Sequence, residues 1–316
     1  MTVPTRLAAF GAVLVGVFAA AWGVGEAIDP IAPPAEQSAD HADDHSDAGA
    51  VTGEEGGAGA PDVSITGLSV AADGYRLVAE TTDLAVVEPA PFRFHIVDDT
   101  DDATRASGDA VTDFEQTHER DLHLIVVRQD LTAFQHVHPT MSPDGTWTID
   151  LGVPEPGAYR VYTEFRPAGA SSSTVLSIAA FAPGASAVVA IGGDSRVATV
   201  DGYELTLTGD VIAGTTSEVS VVVRRDGEPV TDLEPYLGAA GHLVALRSGD
   251  LAYAHVHPVG GFHPGPTVEF GIEIPTAGTY RLFLDFQHDG VVRTAAFTAV
   301  VDVVDPASHG SEEDGT

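Results

Sequence analysis

The sequence predicts an all-β protein built from two tandem immunoglobulin-like β-sandwiches. From Asp62 onward, short segments rich in Val, Ile, Leu, Thr and aromatic residues alternate with Asp-Gly, Pro-Gly and Ala-Gly breaks, roughly every 8 to 12 residues. No apolar pattern of helical period is long enough to compete with this strand pattern. A phrase of the chain also recurs: residues 111–139 align without a gap on residues 230–258, and 12 of the 29 positions are identical.

The two copies extend beyond this phrase and keep the same order of segments. Asp73-Gly74-Tyr75 corresponds to Asp201-Gly202-Tyr203 near the start of each copy. Gly157-Ala158-Tyr159-Arg160 corresponds to Gly278-Thr279-Tyr280-Arg281 near the end. Differences in spacing between these matches place the insertions in loops. The sequence therefore predicts one sandwich over residues 62–183 and a second over residues 190–304.

The N-terminal part predicts export from the cytoplasm. Residues 7–25 form an uncharged run of 19 residues between Arg6 and Glu26, just long enough to span a bilayer as a helix. We expect residues 1–25 to be an uncleaved single-pass membrane anchor, with a cleaved signal peptide and a secreted protein as the alternative. Residues 26–61 predict an acidic disordered spacer, and residues 305–316 an acidic tail.

Composition limits the chemistry that this chain can perform. The 316 residues contain 47 acidic and 14 basic side chains, and the formal net charge of −33 argues against nucleic acid as a partner and against membrane contact other than through the N-terminal helix. Cysteine is absent, which excludes disulfides, thiolate metal sites and cysteine nucleophiles. Met141 is the only methionine after Met1, so a thioether cluster for Cu(I) is excluded as well. Any bound metal must be held by imidazole and oxygen.

Each copy of the repeated phrase carries a histidine triplet at the same three positions. The first is His123, His136 and His138, and the second is His242, His255 and His257. In each His-Val-His the two imidazoles are two residues apart, so they share one face of an extended strand. The first histidine of each triplet begins the preceding strand and can face the pair across a turn. Three neutral imidazoles with a fourth position for water or carboxylate suit Zn(II) or Cu(II), and the sequence predicts one such site per repeat.

Other polar residues are weaker candidates. His118 is an accessory ligand at best, because Leu237 takes its place in the second copy, and His263 and His288 occur in the second copy alone. The matched pairs Glu115 with Glu234 and Asp113 with Asp232 either supply an oxygen ligand or cap a loop. The histidine triplets themselves have a structural interpretation, in which they brace turns by hydrogen bonds to backbone carbonyls.

The repeated phrases resemble a known family. Both phrases are similar to bacterial envelope proteins of the YtkA-like kind. The first repeat contributes Asp121-Leu122-His123-Leu124-Ile125-Val126-Val127-Arg128 followed by Phe134-Gln135-His136-Val137-His138-Pro139. The second contributes Glu234-Pro235-Tyr236-Leu237-Gly238-Ala239-Ala240-Gly241-His242 followed by His255-Val256-His257-Pro258. The resemblance covers both repeats. It implies a non-enzymatic, secreted or membrane-tethered immunoglobulin-like protein associated with copper or heavy-metal handling.

The sequence predicts an extracytoplasmic module that binds Cu(II) or Zn(II) and buffers the ion or delivers it, with another envelope protein as a candidate receiver. The alternative is a cell-surface adhesion or assembly module whose histidines brace turns. An enzyme is not expected, because the chain has no His-Glu-x-x-His helix, no Gly-x-Ser-x-Gly elbow and no phosphate-binding loop.

Overall fold

The structure, a computed structural model, describes residues 65–99 and 108–302, apart from the side chain of His255. The predicted anchor, the spacer and the acidic tail lie outside these residues. The described residues form strands, turns and loops without a helix, and they include no apolar helix of the length that a membrane crossing requires. The all-β prediction is confirmed.

The first repeat contains eleven strands arranged in two sheets. They are β1 (Ala71–Ala72), β2 (Tyr75–Ala79), β3 (Ala85–Val86), β4 (Ala90–Asp98), β5 (Phe114–Glu115), β6 (Leu122–Arg128), β7 (Gln135–Val137), β8 (Thr140–Met141), β9 (Trp147–Val153), β10 (Gly157–Pro167) and β11 (Thr174–Ala182). One sheet has the order β1-β2-β4-β9-β3, with β8 paired to β9. The other has the order β11-β10-β6-β7, with β5 paired to β10.

Within the described residues, the second repeat contains nine strands. They are β12 (Val197–Val200), β13 (Tyr203–Thr208), β14 (Thr215–Arg225), β15 (Glu228–Pro229), β16 (His242–Arg247), β17 (Tyr253–Pro258), β18 (Thr267–Ile274), β19 (Gly278–His288) and β20 (Val291–Val301). Here β17 pairs with both β16 and β18, so one continuous sheet of order β12-β13-β14-β18-β17-β16-β19-β20 folds over a single core, with β15 paired to β14.

Both repeats contain the tyrosine corner typical of immunoglobulin-like sandwiches. The hydroxyl of Tyr159, near the start of β10, donates a hydrogen bond to the backbone oxygen of Glu155 at 2.6 Å. The hydroxyl of Tyr280, near the start of β19, donates to the backbone oxygen of Thr276 at 2.9 Å. These are the tyrosines of the matched Gly-x-Tyr-Arg phrases, so that sequence match marks equivalent corners in the two sandwiches.

Alternation along the strands sends side chains to two different apolar regions. In β6, Leu122, Leu124 and Val126 pack into the core of the first repeat. Ile125 and Val127 point the other way, into a separate cluster that also contains residues of the second repeat. All seven residues of β6 are buried, because each face of this strand is covered.

Equivalent strands of the two repeats form this second cluster, which we call the seam. Its buried members are Ile125, Val127, Leu131 and Tyr162 from the first repeat, and Val244, Leu246, Leu251, Tyr253 and Phe283 from the second. The rings of Phe134 and Phe283 stack with centroids 4.1 Å apart, and the rings at the two equivalent positions, Tyr253 and Tyr162, lie 5.7 Å apart. The sheet face that a lone sandwich would expose to solvent is therefore buried against the other repeat.

Candidate metal centre

Four of the six predicted ligands lie together at one end of the seam: His123, His136, His138 and His242. The ring centroids of the first three are 4.9 to 5.2 Å apart in each pair. The ring of His242 lies 4.7 Å from that of His136 and 5.4 Å from that of His123. One nitrogen each from His123, His136 and His242 falls within 4.8 Å of the others. The cluster thus combines histidines of both repeats.

Strand alternation explains why the two repeats share this cluster. His123 is on the same face of β6 as Ile125 and Val127, which pack in the seam. By the same parity His242 shares a face of β16 with Val244 and Leu246. The sequence predicts that His242 groups with the histidines of its own repeat. In the structure it lies beside His123 and His136 of the first repeat, because the outward faces of the two sheets cover each other.

The second His-Val-His pairs with a different strand from the first. In the first repeat, β7 stays paired with β6 up to Val137, opposite Leu124. In the second, β17 pairs with β16 only at Tyr253 and Ala254, and from His255 to Pro258 it pairs with β18. The imidazole of His257 lies against Gly271 of β18, where a Cβ atom would collide with it. The side chain of His255 is outside the described part of the structure.

Hydrogen bonds determine which nitrogens of the first triplet carry protons. Nε2 of His123 lies 2.9 Å from the backbone oxygen of Thr117, which only accepts, so this nitrogen donates. Nδ1 of His136 lies 2.9 Å from Oδ2 of Asp285, so it donates to the carboxylate. The remaining nitrogens of the two rings, Nδ1 of His123 and Nε2 of His136, face each other at 2.9 Å. Nε2 of His138 lies 3.2 Å from the same His123 nitrogen.

Asp285 is a member of the site that the sequence analysis missed. It lies on β19 of the second repeat, is 2 % exposed, and accepts a hydrogen bond from Thr294 through Oδ1 at 2.5 Å. Glu164 occupies the equivalent position on β10 and accepts a hydrogen bond from the Tyr253 hydroxyl at 2.8 Å. An acidic residue within a strand of alternating apolar positions, at the same place in both copies, is the signal that identifies this position.

The weaker candidates lie elsewhere, except for His118. His118 is half-buried, and its ring centroid is 5.1 Å from that of His242. His263 is exposed on a loop. His288 accepts or donates at Nδ1 with the Tyr203 hydroxyl, 2.6 Å away, and its Nε2 lies 3.0 Å from Asp232.

The matched glutamates act as loop caps. Oε1 of Glu115 accepts a hydrogen bond from the backbone NH of Gly169 at 3.1 Å. Both carboxylate oxygens of Glu234 accept from the backbone NH of Gly290, at 3.0 and 3.1 Å. Both glycines lie in the turn that follows the equivalent strands β10 and β19, so the capping interpretation of this pair accounts for its recurrence.

Burial keeps most of the clustered imidazoles neutral. Burial, together with the nearby His136, lowers the pKa of His123 to about 4. The same two causes lower the pKa of His138 to about 3, and burial lowers the pKa of His242 well below 6.5. These imidazoles are therefore unprotonated at neutral pH, which is the form that binds metal.

The lowered pKa values predict that metal-free protein loses stability in mild acid. An unfolded histidine takes up a proton below about pH 6.5, whereas folded His123 resists until about pH 4, so protonation favours the unfolded state in this interval. We expect stability to be complete above pH 6.5 and to fall by on the order of 1 kcal/mol per pH unit towards pH 4 for His123 alone. Urea unfolding at a series of pH values measures the slope. A His263→Gln variant changes an exposed histidine outside the cluster and should keep the slope. A lower slope in this variant would contradict the assignment of the pH dependence to the buried histidines.

One protein family and several solved structures are similar to this chain. No curated protein matches the chain. Among solved structures, an Escherichia coli adhesin, FdeC, has 15 % identity and a TM-score of 0.22, over 74 % of this chain and 66 % of that one. A tandem of titin immunoglobulin domains has 13 % identity and a TM-score of 0.19, over 73 % of this chain and 96 % of that one. The profile of a family described as Domain of unknown function (DUF8832) matches residues 69–180 and again 198–303, one match in each repeat. The chain therefore belongs to the DUF8832 family and contains two copies of its domain.

Proposed function

We propose that this protein binds one Cu(II) or Zn(II) ion at the seam, with His123, His136 and His138 as ligands and His242 as the fourth imidazole. The observation that carries the proposal is the approach of His123 Nδ1 and His136 Nε2 to 2.9 Å, while the other nitrogen of each ring donates to an acceptor. A metal ion bound between the rings would be held by both nitrogens.

The supporting hydrogen bonds are those expected of metal ligands. A histidine that binds metal through one nitrogen usually donates its other NH to a carboxylate or a backbone carbonyl, which orients the ring. His136 has such a carboxylate in Asp285, and His123 has such a carbonyl in Thr117. The second nitrogen of each ring is thereby held pointing towards the other imidazoles.

The ring spacing also fits a single ion. With metal–nitrogen bonds of about 2.0–2.1 Å in tetrahedral geometry, two imidazoles on one ion have ring centroids roughly 5 Å apart. The three pairs among His123, His136 and His138 have separations of 4.9 to 5.2 Å. Imidazole ligands favour Zn(II) or Cu(II) over calcium or magnesium, which prefer oxygen.

Burial favours storage or delivery of the ion over catalysis. A catalytic zinc keeps a coordination position open to water and substrate. The side chains of His123 and His136 are fully buried and His242 is 6 % exposed, whereas His138 is half-buried. Three of the four imidazoles are thus shielded from solvent. Together with the uncharged segment at 7–25 and the YtkA-like resemblance, this supports a metal-binding module outside the cytoplasmic membrane.

Metal titration of the purified full-length chain tests the proposal. Cu(II) and Zn(II) would be added in competition with a chromophoric chelator, which prevents weak binding by the acidic spacer and its His41 and His45 from being counted. We expect one tightly bound ion per chain. A His136→Gln, His138→Gln double variant should lose more than about 100-fold in affinity, because losing ligands exceeds the 10- to 100-fold loss typical of residues that only support them.

Two control variants separate this shared site from one site per repeat. His257→Gln removes the histidine that lies against Gly271, and His263→Gln removes an exposed one, so neither should change the affinity by more than about twofold. Two ions per chain, with one lost in the His257 variant, would support separate sites in the two repeats. No tight binding by the wild-type chain would contradict the proposal and favour histidines that only brace the seam.

A further inference from the structure

A tight hairpin turn presents a fifth imidazole at the edge of the cluster. Thr117 and Arg120 exchange backbone hydrogen bonds of 2.9 and 3.1 Å, which leaves His118 and Glu119 as the two central residues of the turn. Both have left-handed backbone conformations, with φ of 50° and 62°. Turns of this type favour glycine and asparagine, and other residues are strained there.

The second repeat has the same turn without the histidine. Tyr236 and Ala239 exchange backbone hydrogen bonds of 2.8 and 3.2 Å around Leu237 and Gly238, whose φ angles are 55° and 79°. A leucine therefore occupies the position of His118 in an otherwise equivalent turn. The two turns also approach each other, because a Cβ atom on Gly238 would lie 3.5 Å from Oε1 of Glu119. The fold of the turn does not require an imidazole at this position.

His118 lies beside the cluster and is partly exposed to solvent. It is half-buried, whereas His123 is fully buried and His242 is 6 % exposed. Its ring centroid lies 5.1 Å from that of His242, the separation of two imidazoles on one ion, and 6.0 Å from that of His123. The residue before it, Thr117, holds the NH of His123 through its backbone oxygen. His118 is thus next to the cluster and less buried than His123 and His242.

We propose that His118 is a relay ligand, through which the metal ion enters and leaves the centre formed by His123, His136 and His138. This inference rests on the proposed metal function. An ion that reaches an enclosed site must exchange its water or carrier ligands for imidazoles one at a time. His118 and His242 provide the first two, and the ion then passes to the nitrogens of His123, His136 and His138 while His118 is released. Removal by an acceptor follows the reverse order.

Exchange kinetics of a His118→Leu variant test the relay. Leu237 shows that leucine fits the equivalent turn, so the variant should fold. We expect the same single ion per chain, with affinity within about threefold of wild type, but loading and chelator-driven removal slowed by at least about tenfold in stopped-flow measurements. As a matched control, Glu119→Gly relaxes the turn and keeps the imidazole, so its rates should stay within about twofold of wild type.

The possible outcomes test the relay role of His118 independently of metal binding. Wild-type rates in the His118→Leu variant would show that His118 only packs beside the cluster. An affinity loss above about tenfold would make it a permanent ligand and would also overturn the relay. Both results leave the metal function intact, whereas a wild-type chain that binds no ion overturns the two proposals together.

Discussion

Replacing Asp285 with asparagine is expected to weaken metal binding by about 10- to 100-fold, the loss typical of a residue that orients a ligand. Asparagine has nearly the same shape but no negative charge, so the hydrogen bond to His136 Nδ1 loses its ionic character. The Thr294 hydroxyl, which donates to Asp285, would have to reorient if the amide nitrogen faced it. Competition titration with Zn(II) and Cu(II) measures the change in affinity, and circular dichroism checks that the variant folds.

Glu164→Gln provides the matched control for this substitution. Glu164 is the equivalent acid of the first repeat, and its carboxylate accepts a hydrogen bond from Tyr253 instead of from a histidine of the cluster. The change removes the same charge beside the site without removing the contact to His136, so we expect an affinity loss below about threefold. Equal losses in the two variants would mean that general electrostatic attraction, and not the orientation of His136, explains the effect of Asp285.

Truncation of Phe283 to alanine should destabilise the metal-free protein by about 3–5 kcal/mol, the usual cost of removing a buried aromatic ring. Phe283 is 2 % exposed and stacks on Phe134 of the other repeat at 4.1 Å, so the lost contacts are those that join the two sandwiches. It also shares a face of β19 with Asp285, two residues away. We therefore expect metal affinity to fall together with stability, as measured by urea unfolding and by titration.

Truncation of two other phenylalanines distinguishes a loss of seam contacts from a general loss of packing. Phe181 is 49 % exposed on β11, and its truncation should cost less than about 1 kcal/mol. Phe94 is fully buried in the core of the first repeat, and its truncation should lower stability without the same loss of metal affinity. If Phe283→Ala were as mild as Phe181→Ala, the seam would contribute little to holding the repeats together.

The sequence predicts the fold well because the relevant signals are local. Alternation, turn residues and the matched Gly-x-Tyr-Arg phrases depend on neighbouring positions, and the tyrosine corners formed by Tyr159 and Tyr280 correspond to them. The shared face of His136 and His138 follows from the two-residue period of a strand in the same way. These features need no knowledge of how the two repeats are arranged.

The composition of the site depends on contacts between distant parts of the chain, which the same signals do not determine. One indication was present: β6 is apolar at consecutive positions, and a strand buried on both faces needs a second partner. The partner is the second repeat, and only the packing of the seam shows that it covers β6 and brings His242 and Asp285 to the site. The exchange of partners along β17 leaves no mark in the His-Val-His phrase, which is identical in the two repeats.

The packing of equivalent residues across the seam has a consequence for single-domain relatives. His123 meets His242, and the Phe134–Phe283 stack has its counterpart in Tyr253–Tyr162, as a two-fold axis would require if the copies were identical. A relative with one domain and these residues is expected to form an isologous homodimer with the same interface. In such a homodimer every substitution occurs twice. Fusion of the two copies removes that constraint, so one half can keep His118 while the other carries Leu237.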